Sequence, residues 1–174
     1  MKILLIQPPF TILRTESKKC HPPLGLVYLA CALKDNFEVK VLDALVEGYD
    51  RNEYLGKEYL RYGLSFPDIE KKIMEFSPDV VGVSCLFSDQ IENVYKVFEI
   101  AKKINNKIVT VIGGAHPSAV PHEALRDETI DFVILGEGES TLKKLLETLE
   151  AGKELSDIEG LSYKVDGHPV VCPR

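Results

Sequence analysis

Five short apolar runs, each followed by a stretch whose apolar residues recur at helical spacing, set the fold class of this 174-residue chain. The runs cover residues 2–6, 38–42, 80–86, 107–112 and 131–135. The first, Lys2-Ile3-Leu4-Leu5-Ile6, is continuous and stops at Pro8-Pro9, as suits a central strand covered on both faces. The second alternates, and the third follows the breaker cluster Ser77-Pro78-Asp79. Helical faces lie between them. After Pro23 come Leu24, Val27, Tyr28 and Cys31 at i, i+3, i+4 and i+7, ending near Asp35-Asn36. Then follow Ile69, Ile73 and Phe76; Ile91, Val94, Phe98 and Ala101; a short helix around 123–126; and Leu142, Leu145, Leu146 and Leu149. Strands joined by crossover helices lie parallel, because such connections are nearly always right-handed and bring neighbours into one layer. The expected fold is α/β, a doubly wound five-stranded parallel sheet.

Two segments stand outside that period. Residues 160–172 place Asp166-Gly167 between short β-like runs, a hairpin signal in which Pro169 favours an edge. This hairpin reads as the start of something else, so the expected organisation is one α/β domain over 1–152, with 153–174 a linker and hairpin at a domain boundary. Residues 43–64 form a long connection holding Tyr49, Tyr54, Tyr59 and Tyr62, four of the seven tyrosines. They read either as an extra amphipathic helix packing its tyrosines on the domain or as a lid or partner surface.

Composition removes several functions. A net charge of −6 gives no basic footprint for nucleic acid or an anionic membrane. The N-terminal apolar stretch is too short for a signal segment before Gln7-Pro8-Pro9, and no run approaches the roughly 20 residues that span a bilayer, so a cytoplasmic location is expected. Cys20, Cys31, Cys85 and Cys172 are scattered, without a CxxC pair or a His at metal-finger spacing; reduced, mostly buried thiols are the expectation.

In a doubly wound sheet, ligands bind beyond the carboxyl ends of the strands. Three segments there carry small or rigid residues: Cys20-His21-Pro22-Pro23-Leu24-Gly25, Ser84-Cys85-Leu86 and Gly113-Gly114-Ala115-His116-Pro117. The prolines stiffen the approach to the first helix and leave Gly25 in its first turn; Gly113-Gly114 allows close approach or simply a tight turn. Ser84 is a rim hydrogen-bonding group or is satisfied locally, and His116 a ligand contact or a loop cap. Gly136-Glu137-Gly138-Glu139 ends the fifth strand and opens the last helix, where amides receive an anion and carboxylates cap the helix or meet ligand donors. Asp43 closes the second strand, but no G-x-G-x-x-G follows the first to make a dinucleotide site. His21 is a metal ligand only in principle, and His122 and His168 have no distinguishing context. Together the rim loops suit a large, flat cofactor with a nucleotide tail.

The strings Pro22-Pro23-Leu24-Gly25-Leu26-Val27-Tyr28-Leu29-Ala30, Pro78-Asp79-Val80-Val81-Gly82-Val83-Ser84, Gly113-Gly114-Ala115-His116-Pro117 and Asp131-Phe132-Val133-Ile134-Leu135-Gly136-Glu137-Gly138-Glu139 resemble the N-terminal cobalamin-binding domain of cobalamin-dependent radical S-adenosylmethionine enzymes. Gly160-Leu161-Ser162-Tyr163 is similar to the segment that leads into that family's radical domain. The resemblance implies a flavodoxin-like, Rossmann-like sheet holding a corrinoid across its carboxyl rim, with the nucleotide tail in a groove beside the sheet. Ser84 and Leu86 take the family's S-x-L position and Gly113-Gly114 its double glycine; Pro22, Gly25, His116, Gly136, Glu137 and Gly138 complete the implied cofactor-binding set. Many cobalamin-binding modules carry D-x-H-x-x-G, whose His binds cobalt. Here the positions counted back from Gly25 hold Cys20 and Pro22, and His21 is one residue out of register. The resemblance therefore implies cobalt without a protein histidine ligand.

For the parent enzyme it implies methyl transfer from S-adenosylmethionine, with a second S-adenosylmethionine cleaved at a [4Fe-4S] cluster; ring-forming members such as anaerobic cyclases share the domain. The cysteines cannot form C-x-x-x-C-x-x-C, so cluster and radical chemistry belong to a domain beyond Arg174, and this domain alone binds cofactor without catalysis. A phosphoacceptor receiver domain fits poorly, because Gln7-Pro8, Ser84 and Gly136 stand where acids and a lysine are needed. A flavodoxin needs a hydroxyl-rich loop where Pro8-Pro9-Phe10 stands. The remaining alternative is a scaffold or dimerisation domain that has lost corrinoid binding.

Overall fold

The computed structural model describes residues 1–173. In chain order the first half comprises β1 (Lys2–Gln7), β2 (Phe10–Leu13), α1 (Leu24–Leu33), β3 (Glu38–Asp43), α2 (Ala44–Glu47), β4 (Asn52–Leu55), β5 (Tyr59–Tyr62) and α3 (Phe66–Phe76). The second comprises β6 (Val80–Ser84), α4 (Ile91–Ile104), β7 (Val109–Gly113), α5 (Ala115–Ala119), α6 (Pro121–Ala124), β8 (Phe132–Ile134), α7 (Glu139–Glu150), β9 (Leu161–Val165) and β10 (His168–Val171).

The large sheet has the order β10-β9-β8-β7-β6-β1-β3. Its five parallel members, β3-β1-β6-β7-β8, stand in the order 2-1-3-4-5 of the flavodoxin-like sheet that the family resemblance implied. Side chains alternate between two faces. Leu4, Ile6, Val81, Val83, Ile112 and Val133 face α3 and α4, where they meet Ile69, Ile73, Val94, Val97 and Phe98 in one buried cluster. Ile3, Leu5, Val80, Val111, Phe132 and Ile134 face α1 and α7, with Leu26, Leu33, Leu142 and Leu145. No helix among the described residues is long and apolar enough to cross a membrane.

The C-terminal hairpin joins the large sheet. β9 pairs antiparallel with β8, and β10 antiparallel with β9. Asp166 and Gly167 both have positive φ (50° and 79°), the signature of the two-residue I′ turn that a D-G pair favours. Pro169 lies in the outermost strand, where its missing N–H leaves no ladder bond unmade. Because β10 runs parallel to β8, the chain returns to the carboxyl rim, where the Gly160 amide donates to Cys172 O (2.9 Å) and the Leu135 amide to Gly160 O (2.8 Å).

Two readings change. The tyrosine-bearing segment is not an extra amphipathic helix: after the single turn of α2, β4 and β5 form a hairpin that joins β2 in a three-stranded antiparallel sheet of order β2-β5-β4. Tyr62 is buried in it, edge-on to Phe10 and Tyr49 (ring centroids 6.4 and 5.9 Å), while Tyr54 and Tyr59 are exposed. In α1 the stripe Leu24, Val27, Tyr28 and Cys31 points outward; Leu26 and Leu33 are buried, with Leu29 and Ala30 packed beside them. Residues 26, 29, 30 and 33 have the same helical spacing, so in a helix without a single charged residue periodicity cannot choose between the stripes.

Candidate functional site

A groove of about 700 Å³ opens at the carboxyl rim and runs down between the sheet, α1 and α7. Leu5, Gly82 and Val111 form its floor, Gly25, Tyr28 and Leu29 one wall, and Ile134 and Leu142 the other; Ser84, Leu86, Gly113-Gly114-Ala115 and Gly136-Glu137-Gly138 surround its mouth. The floor is set by the two-residue period of the strands. Leu5 pairs with Gly82 and Gly82 with Val111, while Ser84 pairs with Gly113, so the small residues form adjoining places on one face.

The glycines do different jobs. A Cβ on Gly25 would touch nothing within 4 Å, and one on Gly113 would meet only Ile134, at an ordinary 3.9 Å. A larger side chain on Gly113 therefore extends into the groove, and one on Gly25 would stand at its open edge. Gly114 also borders the groove, but its φ is +114° and its Cβ would lie 2.5 Å from Cys85 O, so the backbone itself demands glycine. A Cβ on Gly138 would sit 3.0 Å from Ile134 Cγ2, close packing at the start of α7.

Hydrogen bonds stitch the rim loops together. Ser118 Oγ donates to Gly114 O (2.7 Å) and accepts from the Gly136 amide (2.8 Å). The Cys85 amide donates to Gly113 O (2.8 Å) and the His116 amide to Cys85 O (3.2 Å). His116 Nδ1 lies 2.9 Å from Ser88 Oγ, which fastens α5 to the loop after β6 and leaves His116 outside the groove lining. Pro22 is exposed and also outside the lining, as is His21. The other sequence candidates, Gly25, Ser84, Leu86, Gly113, Gly114, Gly136, Glu137 and Gly138, come together around one space.

Further groove residues escaped the sequence reading, among them Gly82, Ser118 and Tyr28. Gly82 interrupts a valine run, the signal of close approach inside a strand. Ser118 lies one turn beyond the double glycine. Tyr28 sits on the stripe of α1 that the sequence spacing marks as the apolar face, yet it is 61% exposed beside the groove.

The groove is chiefly apolar, with its polar groups at the mouth: Ser84, Ser118, Glu137 and Glu139. That division suits a flat, weakly polar ring inside and a polar connector at the rim. Burial pushes the Cys85 thiol up to about 12, so it remains a neutral packing group whose Sγ reaches Phe87 O (3.5 Å). Asp43 accepts the Val46 amide (3.0 Å) as the cap of α2, and burial holds its carboxyl above the usual range despite that bond. Among the described residues no group of three or more His, Cys, Asp or Glu could hold a metal ion.

Residues 10–146 match the family described as the B12 binding domain. The chain is 40% identical, over 99% of its length, to cytidylyl-2-hydroxyethylphosphonate methyltransferase of Streptomyces wedmorensis, and covers 33% of that protein. It is 28% identical over 99% of its length to the anaerobic magnesium-protoporphyrin IX monomethyl ester cyclase of Rubrivivax gelatinosus, and covers 30% of it. Among solved structures, the radical S-adenosylmethionine methyltransferase TsrM from Kitasatospora setae, with cobalamin and a [4Fe-4S] cluster bound, superimposes with a TM-score of 0.73 at 24% identity, covering 99% of this chain and 28% of that one. The chain thus spans about a third of the length of the curated relatives it matches. A flavodoxin-like strand order, a groove that small residues open at the carboxyl rim and a family match across 10–146 agree: this chain belongs to the B12-binding domain family.

Proposed function

We propose that the chain is the corrinoid-carrying part of a larger radical S-adenosylmethionine enzyme, most simply a methyltransferase. The observation that carries the reading is the groove. It has the volume of a ligand pocket, it is apolar within, and the Cβ positions of Gly25 and Gly113 border open space. These features fit the flat base of a cobalamin nucleotide tail. Leu5, Val111, Leu29 and Leu142 would sandwich it, and Ser84 and the Gly136-Glu137-Gly138 turn would meet its polar connector. Cys20 and Pro22 replace the Asp and His of the cobalt-binding motif, so this chain offers no histidine at that register. Bound cobalamin supplies a cobalt centre able to accept and release a methyl group. The residues of this chain would orient the bound group and exclude water from its base, and the register at Pro22 would offer it no imidazole.

The downstream partner is proposed on three grounds. The methyltransferase and cyclase relatives are about three times longer than this chain. A segment following β10 would emerge at the carboxyl rim, beside the groove mouth. Finally, α1 presents Leu24, Val27 and Tyr28, 59, 44 and 61% exposed, and Leu86 and Phe87 are exposed after β6, with Tyr28 and Leu86 both bordering the groove. An apolar surface on that rim is the kind that another domain covers. The [4Fe-4S] cluster, the S-adenosylmethionine sites and the substrate pocket would belong to that domain. Methyl transfer is preferred over cyclisation because identity to the methyltransferase is 40% against 28% to the cyclase.

The test is to load the purified chain with hydroxocobalamin, desalt it, record its visible spectrum, and take an electron paramagnetic resonance spectrum after reduction to cob(II)alamin. Retained corrinoid without nitrogen hyperfine coupling on the lower face is expected. A strong nitrogen coupling would overturn the histidine-free reading, and absence of retention would favour the scaffold alternative.

A further inference from the structure

Two amide side chains at the start of α4 are buried, Gln90 at 4% and Asn93 at 2% exposure, yet neither serves the main core. Gln90 grips one residue of the small sheet at both backbone groups: it accepts from the Thr11 amide and donates to Thr11 O, each at 2.8 Å. Asn93 Nδ2 donates to Thr11 Oγ1 (3.0 Å) while its Oδ1 accepts from Arg61 Nε (3.0 Å). Buried amides fully paired in this way fix geometry, since breaking one bond leaves a desolvated group unmatched. They clamp β2 and β5 to the main domain.

The small sheet repeats the two-point grip on its other side. Tyr62, 1% exposed at the end of β5, donates its hydroxyl to Lys19 O (2.8 Å) and accepts from the Lys19 amide (3.0 Å). Lys18 Nζ stands over the rings of Tyr49 and Tyr62, 5.2 and 5.3 Å from their centroids, and donates to Tyr49 O (2.8 Å). The lead-in to α1 is therefore held at residues 18 and 19. Helix α1 has no side-chain cap of its own; Pro23 occupies that position, and Pro22 and Pro23 stiffen the few residues between the grip and Gly25. The grip on Lys19 thus restricts where the chain enters the first turn of α1, which is otherwise placed by Leu26 and Leu33 in the core, and that turn carries Gly25 in the groove wall.

We propose that the three-stranded sheet is a mount, and that Tyr62, acting through Lys19, is a positioning residue for corrinoid uptake. This rests on the corrinoid reading above and adds to it an element whose residues do not line the groove. The mount explains why buried Gln90 and Tyr62 each hydrogen-bond one backbone residue at two points, in β2 and in the α1 lead-in, while buried Asn93 holds the Thr11 and Arg61 side chains beside them.

The test uses the full chain carrying Tyr62→Phe, which keeps the ring against Phe10 and Tyr49 and removes only the hydroxyl. Amide exchange resolved by residue and a hydroxocobalamin titration are measured on the same samples. Exchange should accelerate at the hydrogen-bonded amides of Lys19 and Leu24, with β1 and β6 unchanged, and affinity should fall about tenfold, the scale of one to two lost hydrogen bonds. Lys18→Met, at a half-buried surface position, should shift both readings in the same direction by less. Unchanged exchange at Lys19 overturns the anchor. Faster exchange at Lys19 and Leu24 with unchanged affinity overturns the positioning role, as does an affinity loss accompanied by faster exchange throughout β1 and β6. Failure of the unmodified chain to take up hydroxocobalamin overturns the corrinoid reading itself, an outcome distinct from an unmodified chain that binds and a Tyr62→Phe variant that binds equally well.

Discussion

The two faces of the large sheet are built from the same five parallel strands and end in opposite conditions. Toward α3 and α4, alternate strand residues are large and branched, and Ile69, Ile73, Val94 and Phe98 close over them with 0% exposure. Toward α1 and α7, the alternate positions include Gly82, Ser84 and Gly113, and a groove of about 700 Å³ remains where side chains would stand. One face supplies stability, and the other gives part of that burial up for a guest. The lesson is that a sheet's period of two lets a single strand serve both ends. In Val80–Ser84, Val81 and Val83 fill the closed face while Gly82 and Ser84 open the other.

The comparison can be broken most directly at Phe98. Truncating it to Ala on the closed face should lose about 3–5 kcal/mol of unfolding free energy, read by urea denaturation, because the site is fully packed. An equally large loss of stability from a groove-face change such as Gly113→Leu would show that the two faces are not different in kind.

Neighbouring glycines sharpen the contrast. Gly113→Leu should leave the urea midpoint near that of the parent chain and weaken hydroxocobalamin binding by about a hundredfold, since the new side chain occupies the groove. Gly114→Ala should do the reverse in character, costing about 2–3 kcal/mol of stability because its φ and the Cys85 carbonyl oppose any Cβ. Equal stability of the two variants would remove the distinction between a glycine kept for space and one kept for backbone.

Titration separates closed from open surface next. Burial raises the Cys85 thiol from 9.0 to about 12, so the folded state holds its proton after the unfolded chain has released it. The stability from keeping this thiol neutral is full below about pH 9 and is lost as pH rises from there towards 12, which urea titrations at a series of alkaline pH values would reveal. At pH 8, iodoacetamide should alkylate exposed Cys20 and Cys31 and spare Cys85. The smallest effect is expected on the outward stripe of α1: Leu24→Gln should change the stability of this chain by less than about 0.5 kcal/mol, since Leu24 is 59% exposed. A larger loss in urea would mean that the stripe already packs within this domain.

Much of the fold was legible because strands covered on both faces leave unbroken apolar runs, and the α3, α4 and α7 helices have one apolar side each. The small sheet was not legible. Asn52–Leu55 and Tyr59–Tyr62 interleave polar residues and two of their three tyrosines, Tyr54 and Tyr59, stay in solvent, so neither a helical nor a buried-strand pattern emerges. The site was partly legible, because glycine and serine at strand ends mark close approach, whereas Ser118 and Tyr28 reach the groove only through the packing of α5 and α1.

By itself the sequence determined the parallel α/β class and the rim on which a ligand would lie, because these follow from short-range periodicity and local small-residue motifs, and its resemblance to known sequences pointed to the family. Only the tertiary structure decided which stripe of α1 is buried, that Gly114 answers to Cys85 while Gly25 and Gly113 border open space, and that Tyr62 reaches Lys19 across 43 residues of chain. Those outcomes depend on which surfaces meet, and no local pattern carries that information when a helix is apolar all round or two glycines stand side by side.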